Sequence, residues 1–483
     1  MPSTRIAIIA NRIGMIETYS IPLLSAMAKR RGHEVALIEY HRDPKRALQE
    51  VRDFEPDILA YSVMSPDAKD YIEINRQLKK ETSAFSVFGG IHPTFFHDYI
   101  HEDGVDAICV GEGDLSVGDL LDTFSTSAMY DTANMHFREN GQVKKNPINR
   151  LVDELDELPI PDKGLIYDKS YFIRELPIRG FFTTRGCPYK CTYCFNHAFN
   201  EMYRGKGQVV RIKSVDYAIR ELKLTIDRYP TQFLKFHDDV FGVKKDWLME
   251  FSEKYKREIG LPFLVLARPN MVTDAYCKEL KKAGCHSVTV AIENGNSDIR
   301  NKVMLRAMTE ELIYGAFENL HRYDLKVNSL NMIGLPTETE ETVRETVAMN
   351  QKCKAHYADA SIFQPYPGVS LTKYAIENGW VEDNLTHWGG QYSKSVLKFS
   401  DKLKSIFHAY QIVFPLLVEY PWLEKYIELI RKINDTKIGS KIMDIIYRGT
   451  YGFMMTRRIY PVKMPFKLRA FIAFELLTSK YRN

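Results

Sequence analysis

Three cysteines lie close together in the chain, Cys187, Cys191 and Cys194, in the spacing C-x3-C-x2-C. Three thiolates this close can ligate three irons of a cubane [4Fe-4S] cluster and leave the fourth iron open to a small molecule. His197 comes three residues after the last cysteine, so a Cys3His zinc site is the alternative. Structural zinc usually joins two separated pairs of ligands. One short run cannot do that, so the spacing favours a cluster with an open iron.

The composition is that of an ordinary globular protein. The chain has 483 residues, 45% of them hydrophobic, and a formal net charge of +4. This length allows two or three domains. The sequence has no basic stripe of the kind that binds nucleic acid, so it gives no sign of that function. An odd number of cysteines, seven, and an N-terminus that leads directly into the apolar run Ile6–Ala10 predict a reducing, cytoplasmic location. No apolar stretch reaches the roughly 20 residues that a membrane-spanning helix needs.

Residues 1–125 alternate short apolar runs with segments of helical spacing. This order predicts an α/β domain with a doubly wound, Rossmann-like parallel sheet. Ligands of such sheets bind outside the carboxyl ends of the strands. The loops that follow the strands are therefore the informative ones. The predicted strands are Ile6–Ala10, Glu34–Glu39, Ile58–Ser62, Phe85–Gly89 and Ala107–Val110.

Two of these loops are rich in glycine, Gly89-Gly-Ile-His-Pro-Thr94 and Gly111-Glu-Gly113. Glycine has no side chain beyond its α-carbon, so it lets the backbone approach a ligand closely. Tight turns that bind nothing are the alternative interpretation of either pair. The two loops are candidates for ligand contact at one edge of the sheet.

A second α/β domain is predicted for residues 176–395, after a connector at residues 126–175 with a hairpin that turns at Asn140-Gly141. Six strand–helix repeats suit a partial (β/α)6 barrel, whose active end is where its strands finish. A C-terminal helical region is predicted for residues 396–483. The predicted barrel strands are Gly180–Thr184, Phe233–His237, Phe263–Ala267, Ser287–Ile292, Lys326–Met332 and Ala360–Gln364.

The cysteine run resembles the signature of the radical S-adenosylmethionine (SAM) superfamily. Arg185-Gly186 before the first cysteine, Pro188 after it and Tyr193 before the third all match. The resemblance implies that the open iron binds the amino and carboxylate groups of SAM, and that reduction of SAM yields a 5′-deoxyadenosyl radical. It also implies that Tyr193 lies against the adenine, with Phe195 as the aromatic residue that follows the third cysteine.

Strand-end residues of the second domain match polar positions of the same superfamily. Asp238 or Asp239 would bind the amino group of SAM, because a carboxylate offsets an ammonium in a confined site. An N-cap is the alternative role for one of the two. Arg268 has forked donors that suit a carboxylate of SAM or of the substrate. Glu293 would accept hydrogen bonds from the ribose hydroxyls, and Gly334 belongs to the strip that contacts adenine.

The first domain resembles the cobalamin-binding domains that precede some radical SAM domains. Two sequence motifs of those domains, G-G-x-H-P-T and G-x-D-x4-G-E-G, are present here as Gly89–Thr94 and Gly104–Gly113. The first loop, Asn11–Met15, lacks the histidine that ligates cobalt in many cobalamin enzymes, so we expect cobalamin without a histidine axial ligand. His92 would lie near the ring edge or pack under its loop. The implied cobalamin-binding residues are Ser62, Met64, Gly89, Gly90, His92, Pro93, Gly111, Glu112 and Gly113.

Together the resemblances imply a cobalamin-dependent radical SAM methyltransferase, with a [4Fe-4S] cluster, SAM and cobalamin as cofactors. Its substrate would be a small or lipid-like molecule, and its electron donor would be a protein such as flavodoxin or ferredoxin. A cyclase or rearrangement enzyme that uses the same parts is the first alternative. A non-catalytic module that binds a cluster or cobalamin is the second.

The C-terminal region carries the basic charge of the chain. Residues 401–483 contain 15 Lys or Arg and 7 Asp or Glu, interleaved with aromatic residues. This pattern predicts amphipathic helices. We expect these helices to cap the mouth of the barrel. The alternative is a surface that approaches anionic lipid headgroups, which would give peripheral membrane contact.

Overall fold

The computed structural model describes residues 3–13, 18–139, 141–383, 385, 388–390 and 392–478. The chain divides into two compact units. The first contains Met1–Glu175 and Phe199–Arg211, and the second contains Leu176–Ala198 and Ile212–Asn483. The residues 126–175 that we expected as a connector fall within the first unit.

One seven-stranded sheet forms the centre of the first unit. Its strands are β1 (Arg5–Ala10), β2 (Glu34–Glu39), β3 (Ile58–Ser62), β4 (Phe85–Gly89), β5 (Ala107–Cys109), β6 (Met135–Glu139) and β7 (Gln142–Lys145). The strand order is β2-β1-β3-β4-β5-β6-β7. The first five strands pair in parallel, and β6 and β7 add an antiparallel edge. The doubly wound sheet predicted from the sequence is confirmed.

Both faces of this sheet are covered by protein. Successive side chains of a strand point to opposite faces, and Ile8 and Ile9 of β1 are only 4% and 0% exposed. This explains why the strands read as continuous apolar runs rather than alternating ones. The helices of the unit are α1 (Ser20–Arg30), α2 (Pro44–Phe54), α3 (Ala68–Leu78), α4 (Ile91–Phe95), α5 (Asp114–Thr123), α6 (Gly164–Tyr167) and α7 (Tyr171–Glu175).

The predicted hairpin is the β6–β7 pair, in which Glu139 lies opposite Gln142. Gly141 has the positive φ of +79° that a tight hairpin turn needs. The other residue of the predicted turn, Asn140, lies outside the described residues. So do the last two residues of the predicted first loop, Gly14 and Met15.

Six parallel strands form the partial barrel of the second unit, in the order β15-β14-β13-β12-β11-β8. The strands that follow β7 are β8 (Ile178–Phe181), β9 (Thr184–Arg185), β10 (Arg211–Ile212), β11 (Phe233–Phe236), β12 (Phe263–Ala267), β13 (Cys285–Glu293), β14 (Lys326–Ile333) and β15 (Tyr357–Ile362). The predicted partial barrel is confirmed, because each of the six predicted strands overlaps one strand of this sheet.

Helices follow the strands of the barrel and continue into a helical C-terminal region, as predicted. The remaining helices of the chain are α8 (Phe195–Met202), α9 (Val215–Arg228), α10 (Lys245–Glu258), α11 (Asp274–Ala283), α12 (Glu310–Arg322), α13 (Glu340–Cys353), α14 (Ser370–Glu377), α15 (Asp401–Glu419), α16 (Ile427–Asn434), α17 (Lys437–Met454) and α18 (Phe466–Thr478). Among the described residues, no helix has both the length and the apolar character needed to cross a bilayer.

The expected cap over the barrel mouth is wrong for the segment that follows α17. Ile459 is fully buried and packs with Phe233 and Leu264, which lie at the starts of β11 and β12. The carbonyl of Ile459 accepts a hydrogen bond from Ser287 Oγ at 3.0 Å, near the start of β13. This segment therefore covers the amino ends of the strands, because the apolar side chains there need a cover that the loops at the carboxyl ends cannot give.

Strand β15 is displaced from its predicted range, Ala360–Gln364. It contains Asp359, a residue that rarely occurs inside strands, and sequence patterning placed the start of the strand after it. In the structure Asp359 is 7% exposed and accepts hydrogen bonds from the hydroxyls of Tyr392 at 2.9 Å and Tyr447 at 3.1 Å. Because Tyr447 belongs to α17, this buried carboxylate also ties a C-terminal helix to the barrel.

Removing one of these hydroxyls should destabilise the second unit. In a Tyr447→Phe variant, Asp359 loses a charge-assisted hydrogen bond worth about 2 kcal/mol, which corresponds to a fall in melting temperature of about 4 °C. Differential scanning calorimetry measures the shift. Tyr374→Phe, on the exposed side of α14, is the matched control. An unchanged melting temperature for Tyr447→Phe would contradict the proposed link.

Candidate functional site

A buried carboxylate sets the start of the cysteine loop. Asp238 follows β11 and has no exposed surface. Its Oδ1 accepts hydrogen bonds from the backbone N–H of Thr183 at 2.9 Å, the hydroxyl of Thr183 at 2.7 Å and the backbone N–H of Thr184. These groups are thus taken out of the sheet. The predicted strand Gly180–Thr184 therefore ends early, at Phe181, and the chain turns toward the cysteines.

The middle of the cysteine loop is tied to two segments of the second unit that are distant in sequence. Thr192 donates its backbone N–H to the carbonyl of Met304 at 3.2 Å and its hydroxyl to the carbonyl of Val303 at 2.7 Å. Its own carbonyl accepts the N–H of Leu371 at 2.8 Å. Gly186, with φ of +80°, supplies the left-handed turn before Cys187. The loop therefore has a fixed path from Gly186 to the third cysteine.

Cys187 and Cys194 are partly buried, and their surroundings oppose ionisation of both thiols. Burial raises the pKa of the Cys187 thiol to about 11 and that of Cys194 to about 12, and the nearby Asp239 carboxylate adds to both shifts. Cys191 is 8% exposed. Thiols in such a site become thiolates when a cation is bound to them, as iron would be. The donor set therefore fits a metal cluster better than a reactive thiol.

The described residues contain no group of three His, Cys, Asp or Glu side chains already arranged around a metal position. The assignment of a cluster therefore depends on the spacing of the three cysteines, on their loop and on their surroundings. His197, the fourth ligand of the zinc alternative, lies in the first turn of α8, where its N–H donates to the carbonyl of Cys194 at 3.3 Å.

Of the two aspartates proposed for the amino group of SAM, Asp239 is the one beside the cysteines. Its carboxylate is solvent-accessible and accepts a hydrogen bond from Asn196, and the surrounding protein partly desolvates it, which raises its pKa. Asp238 instead holds the turn before the loop. Burial raises the pKa of Asp238 to about 6, partly offset by its hydrogen bonds.

Tyr193 and Glu293 are brought together by an arginine that the sequence interpretation missed. Tyr193 donates its hydroxyl to Glu293 Oε1 at 2.9 Å, and Arg306 donates to the Tyr193 hydroxyl. Arg306 is 3% exposed and also donates to the carbonyl of Ala291 at 2.6 Å. Nothing in the local sequence indicates this role, because Arg306 and Tyr193 are 113 residues apart.

Arg268 lies in the same area with its guanidinium oriented by neighbours. The group stacks on the ring of Tyr189, 3.9 Å from the ring centre, and donates to the carbonyl of Arg306. Asn270 donates to the Tyr189 hydroxyl at 2.9 Å. An arginine held flat in this way can offer the rest of its forked donors to a carboxylate.

An apolar surface lies next to these polar groups. Tyr193, Phe195 and Met332 pack against a buried cluster that includes Leu335 and Phe363. Gly334, which follows β14, has a φ of +76°, so the backbone turns sharply where the adenine strip was predicted. A flat aromatic base fits an apolar strip with polar groups at one side.

In the first unit, two apolar side chains are exposed at the carboxyl edge of the sheet. Met64 is 57% exposed in the loop after β3, and Ile91 is 39% exposed after β4. Ser62 ends β3 and pairs with Gly89 in β4. Exposed apolar groups at this edge of a parallel sheet fit a large, flat and partly apolar ligand such as a corrin ring.

His92 packs beneath its loop. It is 1% exposed, its Nδ1 lies 3.1 Å from Ser65 Oγ, and its ring contacts Phe96 and Tyr99. Burial lowers its pKa to about 4, so the imidazole is neutral near pH 7. This is one of the two placements that the sequence predicted, and Pro93 beside it is also buried.

The other residues of the two glycine-rich loops make contacts within the protein. A side chain at Gly90 would collide with the backbone of Val63, and one at Gly111 would collide with the hydroxyl of Tyr203. Glu112 forms a two-pronged ion pair with Arg211, at 2.8 and 2.5 Å, and Arg211 is only 2% exposed. A side chain at Gly113 would lie only 3.3 Å from Val117, so the Val117 side chain would have to shift. The residues of these two glycine-rich loops therefore shape the carboxyl edge of the sheet through contacts within the protein.

Comparisons with known proteins agree with both resemblances. A model described as the Radical SAM superfamily matches residues 181–349, and a model described as the B12 binding domain matches residues 5–121. An uncharacterized methyltransferase of Pyrococcus horikoshii is 28% identical over 68% of this chain and 71% of its own length. An anaerobic magnesium-protoporphyrin IX monomethyl ester cyclase of Cereibacter sphaeroides is 25% identical over 70% of this chain, which spans only 56% of that relative.

The fold is also found in a solved structure. It is that of the radical S-adenosylmethionine methyltransferase TsrM from Kitasatospora setae, with cobalamin and a [4Fe-4S] cluster bound. It superposes with a TM-score of 0.66 over 79% of each chain, at 16% sequence identity. At this level of identity the likeness shows a shared architecture.

Replacing Arg306 should weaken SAM binding without removing iron. An Arg306→Gln variant loses a charged donor to Tyr193, which leaves Tyr193 and Glu293 poorly oriented. We expect a loss of about 2 kcal/mol, roughly 30-fold in Kd, measured by anaerobic calorimetric titration with SAM. The matched control is Arg257→Gln, at an arginine exposed on α10. An unchanged Kd with a normal iron content would contradict this role.

Bound cobalamin should show no histidine ligand. His92 is buried and neutral down to about pH 4, so its titration cannot alter the spectrum between pH 5.5 and 8. Electron paramagnetic resonance of the cobalt(II) form, in protein carrying 15N-histidine and in unlabelled protein, should give identical hyperfine splitting. A splitting that changes with the label would show that a histidine ligates the cobalt.

Proposed function

We propose that this chain, in which a B12 binding domain at residues 5–121 precedes a radical SAM domain at residues 181–349, is a cobalamin-dependent radical SAM methyltransferase acting on a substrate carbon. The observation that supports this most is the cysteine loop, with Tyr193, Glu293 and Arg306 beside it. The Pyrococcus horikoshii relative, which is named a methyltransferase, supports the reaction type.

Different residues of the second unit would hold the cluster and bind different groups of SAM. Cys187, Cys191 and Cys194 would hold the cluster. When bound, the cluster would supply the electron that splits SAM, and cobalamin would carry the methyl group. Asp239, beside the cysteines, would bind the amino group of SAM, because its carboxylate offsets an ammonium in a partly desolvated site.

The remaining contacts follow from the orientation of the side chains. Arg268 would bind a carboxylate of SAM or of the substrate, since its guanidinium is already held flat on Tyr189. Glu293 would accept hydrogen bonds from the ribose hydroxyls of SAM, since burial and Arg306 fix its position. Phe195 and the turn at Gly334 would bound the adenine site, where the apolar cluster excludes water.

For the first unit we propose that cobalamin lies on the carboxyl edge of the sheet. Ser62, Met64 and Ile91 would contact the corrin, with the tight turns at Gly89-Gly90 and Gly111–Gly113 beneath it. His92, buried under its loop, would support the loop and leave the cobalt without a histidine. Glu112 would act through Arg211, to which it is already bound.

A second candidate function uses the same parts without methyl transfer. The Cereibacter sphaeroides relative is named a cyclase, so a radical SAM cyclase or rearrangement enzyme is the alternative. We also propose a small or lipid-like substrate, a flavodoxin or ferredoxin as electron donor, and membrane contact through the C-terminal region. A regulatory module that binds cofactors without catalysis would cleave no SAM.

One anaerobic incubation separates these functions. The full chain, reconstituted with iron, sulfide and cobalamin, is incubated with reductant, SAM deuterated in its methyl group, and an extract of the source cells. A methyltransferase forms 5′-deoxyadenosine and a product that carries the deuterated methyl group, both detected by mass spectrometry. 5′-Deoxyadenosine without a labelled product indicates cyclisation or rearrangement, and no SAM cleavage indicates a module without catalysis.

A Cys191→Ala variant should lose iron and all SAM cleavage. Cys353→Ala, at a buried cysteine outside the run, is the matched control and should keep both. Metal analysis of the reconstituted protein separates iron from zinc. Zinc in place of iron, with no paramagnetic signal after reduction, would contradict the proposed cluster.

A further inference from the structure

The outward face of α17 is a continuous apolar stripe. Its side chains follow helical spacing on one side of the helix, while Met443 and Tyr447 on the opposite side are buried. Over this length the stripe extends about 22 Å. It consists of Ile438, Ile442, Ile445, Ile446 and Phe453, which are 74%, 50%, 56%, 41% and 55% exposed.

The stripe continues onto α16, where Leu429 and Ile433 are 55% and 41% exposed. The corner between the two helices is tight. Thr436 caps α17 by accepting the N–H of Gly439 at 3.0 Å, and a side chain at Gly439 would collide with the carbonyl of Ile433. The two helices therefore present their apolar residues as one surface, which we call the α16–α17 surface.

Positive charge borders this surface, and its negative charge is already neutralised. Residues 421–470 contain 11 Lys or Arg against 4 Asp or Glu. Asp444 is paired with Arg448 at 2.6 Å, and Arg431 is paired with Asp435 at 2.8 Å. Between residues 427 and 459, four exposed cations make no ion pair with any carboxylate in the part of the chain that the structure describes; they are Lys432, Lys437, Lys441 and Arg457.

The positions of these cations match the stripe. At 100° per residue, Lys437 and Lys441 lie along one flank of the apolar residues of α17, and Arg457 follows the helix with its guanidinium over the ring of Phe453, 4.9 Å from the ring centre. Long cationic side chains beside apolar ones can reach headgroups while the apolar residues enter the acyl boundary.

We propose that the α16–α17 surface docks on the surface of an anionic lipid bilayer. The apolar stripe gives the buried area and the flanking cations give the attraction to anionic headgroups. A second copy of the chain fits less well, because it would bring the same unpaired cations together. The charge of the surface therefore favours a lipid partner over self-association.

The α16–α17 surface lies alongside the barrel, because Tyr447 of α17 donates its hydroxyl to Asp359 in β15. The segment that follows α17, through Ile459, covers the amino ends of the barrel strands. The cysteine loop and its partners lie at the carboxyl ends of the same strands. α17 therefore runs from near the carboxyl end of β15, where Gln364 and Asp435 both reach Lys394, to the amino ends of the strands. A bilayer at the α16–α17 surface would hold the enzyme at the membrane along this side of the barrel.

Vesicle flotation of the full chain tests this directly. Wild type is mixed with vesicles of phosphatidylcholine containing phosphatidylglycerol, or of phosphatidylcholine alone. We expect flotation with the anionic vesicles and at least roughly tenfold weaker partition without them, because each cation near the surface adds to binding. High salt should release the protein, since it screens these charges.

Two pairs of substitutions separate the contributions. Ile442→Gln with Ile445→Gln keeps the charge and removes apolar area, and Lys437→Gln with Lys441→Gln does the reverse. Each pair should lower partition onto anionic vesicles by roughly tenfold. Leu224→Gln, at an apolar residue 54% exposed on α9, is the matched control and should bind as wild type. All four positions are on the surface, and an unchanged melting temperature checks the fold.

Two results would overturn the proposal. One is wild type that stays with the soluble fraction at both lipid compositions, or floats equally with both. The other is a dimer, detected by light scattering, that dissociates in the Ile442→Gln/Ile445→Gln variant while vesicles bind neither protein, which would assign the surface to a second copy.

Discussion

The site of the second unit depends on one buried carboxylate. Asp238 has no exposed surface, and its Oδ1 accepts three hydrogen bonds from Thr183 and Thr184. Burying a charge is costly unless it is hydrogen-bonded, so these two residues are strongly held in place. Because they leave the sheet together, the chain turns at the carboxyl end of the barrel, and the cysteines follow within the next eleven residues.

A second constraint holds the other side of the site. Glu293 has a positive φ of +69°, which is unfavourable for a residue with a side chain, and the register of β13 against β14 shifts at this point. The neighbouring Arg306 offsets this by binding both Tyr193 and the carbonyl of Ala291. Backbone strain of this kind is common where side chains must be oriented for a ligand. Tyr193, from the cysteine loop, is thereby joined to the end of β13.

The edge of the first unit shows how one residue can satisfy two demands. The glycines of the two loops are required by contacts within the protein, at Val63 for Gly90 and at Tyr203 for Gly111. Because these glycines have no side chains, nothing protrudes from the edge at their positions, and a ligand can approach the backbone closely. Met64 and Ile91 remain exposed there, and these exposed apolar groups indicate binding more directly than the glycines do.

The sequence by itself determined the two folds and the cysteine run. Apolar runs separated by helical segments dictate parallel sheets because both faces must be covered, and the spacing of the cysteines dictates which ligands can converge. Only the tertiary structure decided that Asp239 rather than Asp238 lies beside the cysteines, that Arg306 joins Tyr193 to Glu293, and that the chain after α17 covers the amino ends of the barrel. These facts depend on contacts between residues far apart in the chain, for which local pattern carries no signal. Asp359 makes the same point, since its place inside β15 is stable only because Tyr392 and Tyr447 reach it from distant segments.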